Sequence, residues 1–324
     1  MTTALSDAVA SELRVHLADV CAQLGIEPDS ARLVKYTMNA VFEAPPFVIR
    51  LAAGPHAFTL AERVVPVAQC LEKAGMPTVR ISSGVACQPI FSGEWVATAW
   101  QYVPTVRDEP RPVDLAMPLR ALHGLEQLNV PLPRWSPIPK FRRRLDAAAS
   151  LPPREADDLE GWSRTELGLS AQDLLRDLRW RCDRAEEDLD RVAWQLPPGV
   201  IHGDAHTGNI LLPLPGQGAS SPTPLLCDLD GVCLGPREWD LVPTAHGATR
   251  FGRSRIDYED FVDAYGVDLT TWTGWPVLRG VRELQLVTST IDALAGRPDV
   301  AKQLAHRLRS LFSGDLKATW CRYR

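Results

Sequence analysis

Apolar residues near the start of the chain recur at the spacing of an amphipathic helix and then change to the alternation of strands. Residues 5–24 carry apolar side chains every three or four positions, which predicts a helix ending at Gly25. Short strand-like runs follow at residues 32–36, 40–43 and 47–51, with a proline pair marking a turn before the last run. This pattern predicts a small sheet beside a helix.

The next segment repeats the same mixture of patterns. Residues 59–73 predict a second helix, and Pro66 inside it is expected to kink or restart the helix because proline lacks a backbone donor. Strand-like runs then appear at residues 79–82, 88–91 and 95–101. The first hundred residues therefore indicate a region of mixed helices and strands.

The rest of the chain is mostly helical in pattern. Residues 172–196 have apolar positions at alternating steps of three and four, which predicts one long helix with a buried stripe. Residues 150–165 are charged and interrupted by proline and glycine, so we expect a surface loop there. Residues 213–224 are rich in proline, glycine and serine and predict a hairpin loop. Helical spacing returns after Tyr258.

Together these patterns predict an α+β fold with two lobes. Residues 1–103 would form a small β-rich N-lobe, and residues 104–324 a larger helical C-lobe. The length of 324 residues is sufficient for two such units. A cleft between lobes is the natural place for a small ligand.

Composition excludes several classes of protein. With 45% hydrophobic and 23% charged residues, the chain is not intrinsically disordered. Its formal charge of −5 argues against a general nucleic-acid binder, which needs a basic surface. The seven cysteines are scattered without a CxxC pair, and no stretch of about 20 apolar residues is present. We therefore expect a cytoplasmic protein without disulfides, membrane spans or nucleic-acid partners.

Two polar runs carry the candidate chemistry, and each follows a short apolar strand. The first, VIHGDAHTGNILL, contains Asp204 and, five positions later, Asn209. The second, LLCDLDGVCLGPREWDL, contains Asp228 and Asp230. The Asp-to-Asn spacing is that of a kinase catalytic loop, whose remaining metal ligand is an aspartate in a later strand and turn. Oxygen ligands of this kind suit a hard divalent cation.

These motifs resemble the aminoglycoside phosphotransferase family, which includes choline kinase-like and other small-metabolite kinases. The resemblance extends over about 270 residues and implies a protein-kinase-like fold. It implies that Asp204 orients the acceptor hydroxyl, that Asn209 and Asp228 bind Mg²⁺, and that Asp230 is a further acidic residue near the metal. His202 and Asp240 would support the catalytic loop structurally.

The N-lobe part of the resemblance rests on the order of its elements. Arg50, in the strand FVIRL, stands where antibiotic-resistance members carry a phosphate-anchoring lysine, and Glu62 is the candidate partner for Arg50. No GxGxxG loop is present between the first strands. The other residues expected at the nucleotide are Thr37 and Asn39 in the first turn and Gln101, Tyr102 and Val103 at the hinge.

The expected activity is transfer of the γ-phosphate of ATP, with Mg²⁺, to a hydroxyl of a small molecule; GTP is not excluded. An aminoglycoside-like antibiotic, a sugar or an amino alcohol would fit as acceptor. One alternative is a nucleotide-binding module of the same fold without catalysis. Another is a metallohydrolase whose metal is held by His202, Asp204, His206 and Asp228.

Overall fold

The computed structural model describes residues 7–323 except 38, 86, 216–222, 293 and 295. Most of the predicted hairpin loop at 213–224 lies outside the described residues. The chain divides into two compact units, Met1–Leu132 with Thr207–Val232 and Pro133–His206 with Cys233–Arg324. The division between these units differs from the predicted lobe boundary after residue 103. The lobe boundary remains a prediction. The seven cysteines, all within the described residues, are not joined in disulfides, and none of the described helices is long and apolar enough for a membrane span.

The first unit contains an antiparallel sheet in which alternation places Arg50 away from the core. Helix α1 (Asp7–Leu24) precedes strands β1 (Arg32–Tyr36), β2 (Ala40–Ala44), β3 (Phe47–Ala53), β4 (Ile90–Ser92) and β5 (Trp95–Gln101). In the described residues the strand order is β1-β2-β3-β5-β4. Phe47, Ile49 and Leu51 are buried in the cluster that includes residues of α1, so the alternating Arg50 points to the other face of β3.

Helix α2 spans Pro55–Lys73 and is continuous through Pro66, so the expected restart at Pro66 is wrong. Val64, Val65, Val67 and Ala68 on this helix are buried. Burial of this apolar face around Pro66 offsets the hydrogen bond that proline removes. The expected strand at residues 79–82 is reduced to isolated bridges, Thr78 with Leu226 and Ile81 with Trp100.

Parts of the two polar motifs, residues 207–212 of the first and 225–232 of the second, lie in short elements of the same unit. Helix α3 is Val113–His123, and strands β7 (Ile210–Leu211) and β8 (Leu225–Leu226) pair antiparallel. The Val79 amide donates to the Leu226 carbonyl, and the Val106 amide donates to the Leu212 carbonyl. These bonds connect the β7–β8 pair to the segment that precedes β4 and to the segment that follows β5.

The second unit is mostly helical. Its elements are α4 (Ile138–Ala149), α5 (Pro153–Leu167), α6 (Ala171–Asp190), β6 (Gly199–Ile201), β9 (Cys233–Gly235), α7 (Glu238–Arg250), α8 (Arg255–Tyr265), α9 (Trp275–Thr288) and α10 (Pro298–Ser313). Strands β6 and β9 pair antiparallel.

Two expectations for this unit are corrected. The segment 150–165 is not a surface loop, because α5 begins with a proline in its first turn, buries Leu159 and Ser163 one turn apart, and ends at left-handed Gly168. Helix α6 ends at Asp190, before the expected end at Leu196. The amides of Gln195 and Leu196 instead donate to the buried Glu238 carboxylate.

A buried charged network anchors the C-terminal segment to the helices of the second unit. Arg250 Nε donates to Glu283 Oε1 at 2.7 Å, and Arg250 Nη1 donates to the Asp315 and Ala318 carbonyls at 2.5 and 3.1 Å. The Arg250 guanidinium also lies over the Trp320 ring. Arg250 and Glu283 are both almost fully buried, so each charge depends on the other for compensation.

Candidate active site

One cavity in the first unit gathers most of the residues predicted to bind nucleotide and metal. Its volume is about 500 Å³, a size usual for small-molecule sites. The predicted residues in its lining are Thr37, Asn39, Arg50, Gln101, Tyr102, Val103, Asn209 and Asp228. The polar residues beside β7 and β8 therefore share a cavity with the open face of the sheet.

The hinge segment after β5 forms one wall of this cavity. The Gln101 amide donates to the Arg80 carbonyl, and the Tyr102 amide donates to the Pro46 carbonyl. The Tyr102 hydroxyl is hydrogen-bonded to the Glu43 carboxylate, which raises the pKa of the tyrosine and lowers the pKa of the glutamate. Among the described residues, the Val103 amide makes no backbone hydrogen bond. It is the hinge donor left for a ligand base.

Arg50 is paired with aspartates of the loop after β8. Its guanidinium forms a very close ion pair with Asp230, and its Nη1 lies 3.5 Å from Asp228 Oδ1. The backbone carbonyl of Asp230 also accepts a hydrogen bond from Arg63 on α2 at 2.5 Å. Glu62, the expected partner of Arg50, is instead exposed on α2 and does not line the cavity. Neighbouring positions on a helix differ by about 100° in direction, so Arg63 points inward and Glu62 outward.

Asp228 has a backbone conformation that marks a specialised position. Its φ of 61° places it in the left-handed region, where aspartate pays a steric cost. A 3-10 turn, Leu229–Gly231, follows directly. This turn buries Oδ1 of Asp230, and that oxygen has no hydrogen-bond partner in the part of the chain that the structure describes. The loop thus places Asp228 in the lining of the cavity and Asp230 against Arg50, outside the residues that line the cavity.

The predicted catalytic loop follows β6 in the second unit. Gly203 has a φ of 83°, which a residue with a side chain rarely adopts. The Asp240 carboxylate accepts hydrogen bonds from the amides of His202 and Gly203 at 2.6 and 2.8 Å. The indole of Trp239 donates to the Gly203 carbonyl at 3.0 Å. Buried contacts from the start of α7 therefore fix the backbone that leads into Asp204.

Asp204 is accessible and lies beside Arg282 and His206. Its side chain is 46% exposed, with Arg282 Nη1 3.4 Å from Oδ1 and His206 Nε2 3.7 Å from Oδ2. Burial by itself would raise the pKa of Asp204, but Arg282, His206 and His202 together hold that pKa below its ordinary value. Asp204 is therefore ionised at neutral pH, as a group that accepts a proton must be.

Sequence reasoning missed two arginines at these positions. Arg63 is next to Glu62 on α2, and Arg282 lies on α9, 78 residues after Asp204. Neither arginine belongs to a local motif. The helical phase of α2 contains a weak signal for Arg63, whereas the sequence offers none for Arg282.

The groups needed for the metallohydrolase alternative do not form a cluster in the described residues. No three His, Cys, Asp or Glu side chains converge there in a geometry that could hold a metal ion. The contacts around the His-Gly-Asp loop include instead those of Asp240, Trp239 and Arg282.

Comparison with known proteins identifies the family. Residues 26–281 match the phosphotransferase enzyme family, and the chain therefore belongs to it. This confirms the family indicated by the His-Gly-Asp and Asp228 motifs. A search of curated proteins found no match.

Solved structures confirm the expected kinase-like α+β fold. An amicoumacin kinase in complex with AMP-PNP, Ca²⁺ and Ami has a TM-score of 0.62 at 12% identity, with 96% of this chain and 97% of the other covered. A choline kinase from Streptococcus pneumoniae has a TM-score of 0.60 at 12% identity, with coverage of 93% and 99%. A spectinomycin phosphotransferase in complex with ADP and spectinomycin has a TM-score of 0.53 at 15% identity, with coverage of 88% and 93%.

Proposed function

We propose that this protein transfers the γ-phosphate of ATP, with Mg²⁺, to a hydroxyl group of a small molecule. The observation that carries the proposal is the cavity of the first unit, which Arg50, Asn209 and Asp228 line together with the hinge. Membership of the phosphotransferase enzyme family supports the same reaction. A cytoplasmic location belongs to the proposal as well, with GTP as the alternative phosphate donor to ATP.

The nucleotide end of the site would work through backbone groups and one guanidinium. The Val103 amide offers a donor to the base at the hinge. Arg50 lines the cavity with a largely buried side chain, so its charge is little screened by solvent. A guanidinium can bind phosphate oxygens through two parallel hydrogen bonds. Arg50 is therefore suited to neutralise the nucleotide phosphates.

The donor set fits magnesium. Asn209 and Asp228 present hard oxygen atoms to one cavity, and the orphaned Oδ1 of Asp230 is a further oxygen beside Arg50. A bound divalent ion would offset the negative charge that builds up on the phosphates. The strained left-handed backbone at Asp228 fixes the direction of its carboxylate.

Asp204 would orient the acceptor hydroxyl. The hydroxyl oxygen forms a bond to the γ-phosphorus, the bond from that phosphorus to the bridging β–γ oxygen breaks, and ADP leaves. The Asp204 carboxylate accepts the hydroxyl proton and returns it to solvent. Its lowered pKa keeps the carboxylate ionised, so that it can accept a hydrogen bond from the hydroxyl and orient it.

The proposal is tested by thermal shift, product analysis and elemental analysis on the full chain. We expect ATP with Mg²⁺ to raise the melting temperature and a mixed set of hydroxyl compounds to yield a product heavier by one phosphate. A thermal shift without any phosphorylated product would indicate the non-catalytic module. Bound zinc or iron, with hydrolysis that needs no ATP, would indicate the metallohydrolase.

Asp230→Asn is expected to raise the KM for ATP about tenfold. The substitution keeps the shape of the side chain but removes the charge that positions Arg50, and charge-assisted hydrogen bonds are the stronger class. Steady-state ADP formation at varied ATP measures the change. Glu62→Gln is the matched control and should leave this KM within about twofold. A larger effect at Glu62 than at Asp230 would contradict the assigned pairing.

A further inference from the structure

The surroundings of Asp204 in the second unit are rich in basic side chains. Lys140 and Arg144 lie one turn apart on α4, and helices α4 and α9 contact each other. Gln285 on α9 connects two of the guanidiniums, because its side-chain oxygen accepts from Arg282 at 2.7 Å and its carbonyl accepts from Arg144 at 3.2 Å. Arg282 in turn contacts Asp204. These residues form one group, which we call the basic cluster: Lys140, Arg144 and Arg282.

Carboxylates do not balance the charge of this cluster. Asp204 attracts Lys140 and Arg282, and Asp292 attracts Arg144. Arg143, which adds a fourth positive charge beside Lys140, lowers the lysine pKa. The pKa of Lys140 is held below its ordinary value, first by desolvation and then by Arg144. Positive charge therefore exceeds negative charge around Asp204.

Arg282 provides a second observation of positive charge that the surrounding groups leave incompletely satisfied. Its side chain is only 12% exposed. Its Nε is buried and has no hydrogen-bond partner within the described part of the chain. A guanidinium donor left unpaired in a buried position is costly unless an acceptor meets it.

Two other arginines close in sequence or space to α4 are neutralised by carboxylates. Arg142, on α4 beside the cluster, donates to Asp183 and Glu186 on α6 at 2.6 and 2.8 Å. Arg179 on α6 donates to Asp146 at 3.1 Å. The excess of positive charge around Asp204 therefore does not include Arg142, although Arg142 lies on the same helix as Lys140 and Arg144.

We infer that the acceptor carries an anionic group, a carboxylate or a phosphate, close to the hydroxyl that is phosphorylated. This inference rests on the proposed function, since it assigns the substrate class of the same site. Anionic oxygens would accept hydrogen bonds from Lys140, Arg144 and Arg282 and complete the charge balance. A polycationic aminoglycoside would meet like charges at this position and be rejected.

The test compares three classes of hydroxyl compound as acceptors in the presence of ATP and Mg²⁺. The anionic class consists of hydroxy acids and sugar phosphates, the neutral class of sugars and polyols, and the cationic class of amino alcohols and aminocyclitols. Mass spectrometry identifies products and ADP release gives the rates. We expect the best kcat/KM in the anionic class, at least about tenfold above the other two classes.

Variants connect that preference to the basic cluster. Lys140→Gln and Arg144→Gln should each raise the KM for the anionic acceptor by about 10- to 100-fold, with a smaller fall in kcat and little change in the KM for ATP. Arg142→Gln, on the same helix but paired with α6, should leave all three values unchanged. Lys140→Glu should reduce the preference for anionic acceptors further.

The possible outcomes separate the inference from the proposed function. Products found only among neutral or cationic compounds would overturn the inference and leave the kinase proposal intact. The inference would also be overturned if Lys140→Gln and Arg144→Gln raised the KM for ATP and not that for the acceptor. If no class yields product although ATP binds, both the inference and the proposed function are wrong.

Discussion

Asp204→Asn is expected to lower phosphotransfer turnover by about 10²- to 10⁴-fold, the usual contribution of a positioned proton acceptor. Asparagine keeps the size of the side chain but cannot take the hydroxyl proton. The Asp240 and Trp239 contacts that fix the loop go to the backbone of His202 and Gly203, so they survive the substitution. ADP release in the presence of the best acceptor, together with the melting temperature, measures the effect.

Asp188→Asn serves as the control for this prediction. Asp188 lies on α6 in the same unit and makes only loose, solvent-exposed ion pairs with Arg184 and Arg191. Removal of the Asp188 charge should change neither the turnover nor the melting temperature measurably. If Asp204→Asn retains wild-type turnover in a folded protein, another group must orient the hydroxyl and the assignment of Asp204 is wrong.

Arg250→Met is expected to destabilise the protein by about 3–5 kcal/mol, the range for breaking one side of a buried ion pair. The substitution leaves the Glu283 carboxylate buried without its guanidinium and frees two carbonyls of the C-terminal segment. His246 lies 3.8 Å from Glu283, and desolvation lowers the pKa of His246, which opposes its protonation as a substitute for the guanidinium. Urea unfolding followed by fluorescence measures the loss.

Arg255→Met is the matched control, since it removes one arginine from an exposed i,i+4 pair with Glu259 on α8. Surface pairs of this kind contribute between about 0 and 1 kcal/mol. Equal losses for the two arginine variants would contradict the view that Arg250 anchors the C-terminal segment.

Local pattern predicted the strands of the sheet well. The strand-like run predicted at residues 47–51 corresponds to β3, which the structure extends to Phe47–Ala53. The same reasoning failed at α5, where prolines and charges suggested a loop. Helix α5 begins with a proline in its first turn, and only two of the residues described in it, Leu159 and Ser163, are buried. Composition by itself does not distinguish an exposed helix from a loop.

The partner of Arg50 could not be predicted without knowing which side of helix α2 faces the sheet. Glu62 and Arg63 are adjacent, and both are plausible from composition as members of a phosphate site. The phase of α2 against the sheet turns Arg63 inward, and the 3-10 turn after Asp228 supplies Asp230 as the carboxylate partner. The electrostatic partner of Arg50 therefore comes from a segment 180 residues away.

The sequence by itself determined the family, the kinase-like fold and the spacing of Asp204, Asn209 and Asp228, because these depend on short motifs and periodic burial. Tertiary structure decided which side chains surround them. Arg63 and the basic cluster come from helices distant in sequence, and their charges act through space and not along the chain. Electrostatic environment, and with it the class of acceptor, is therefore a property of the folded chain.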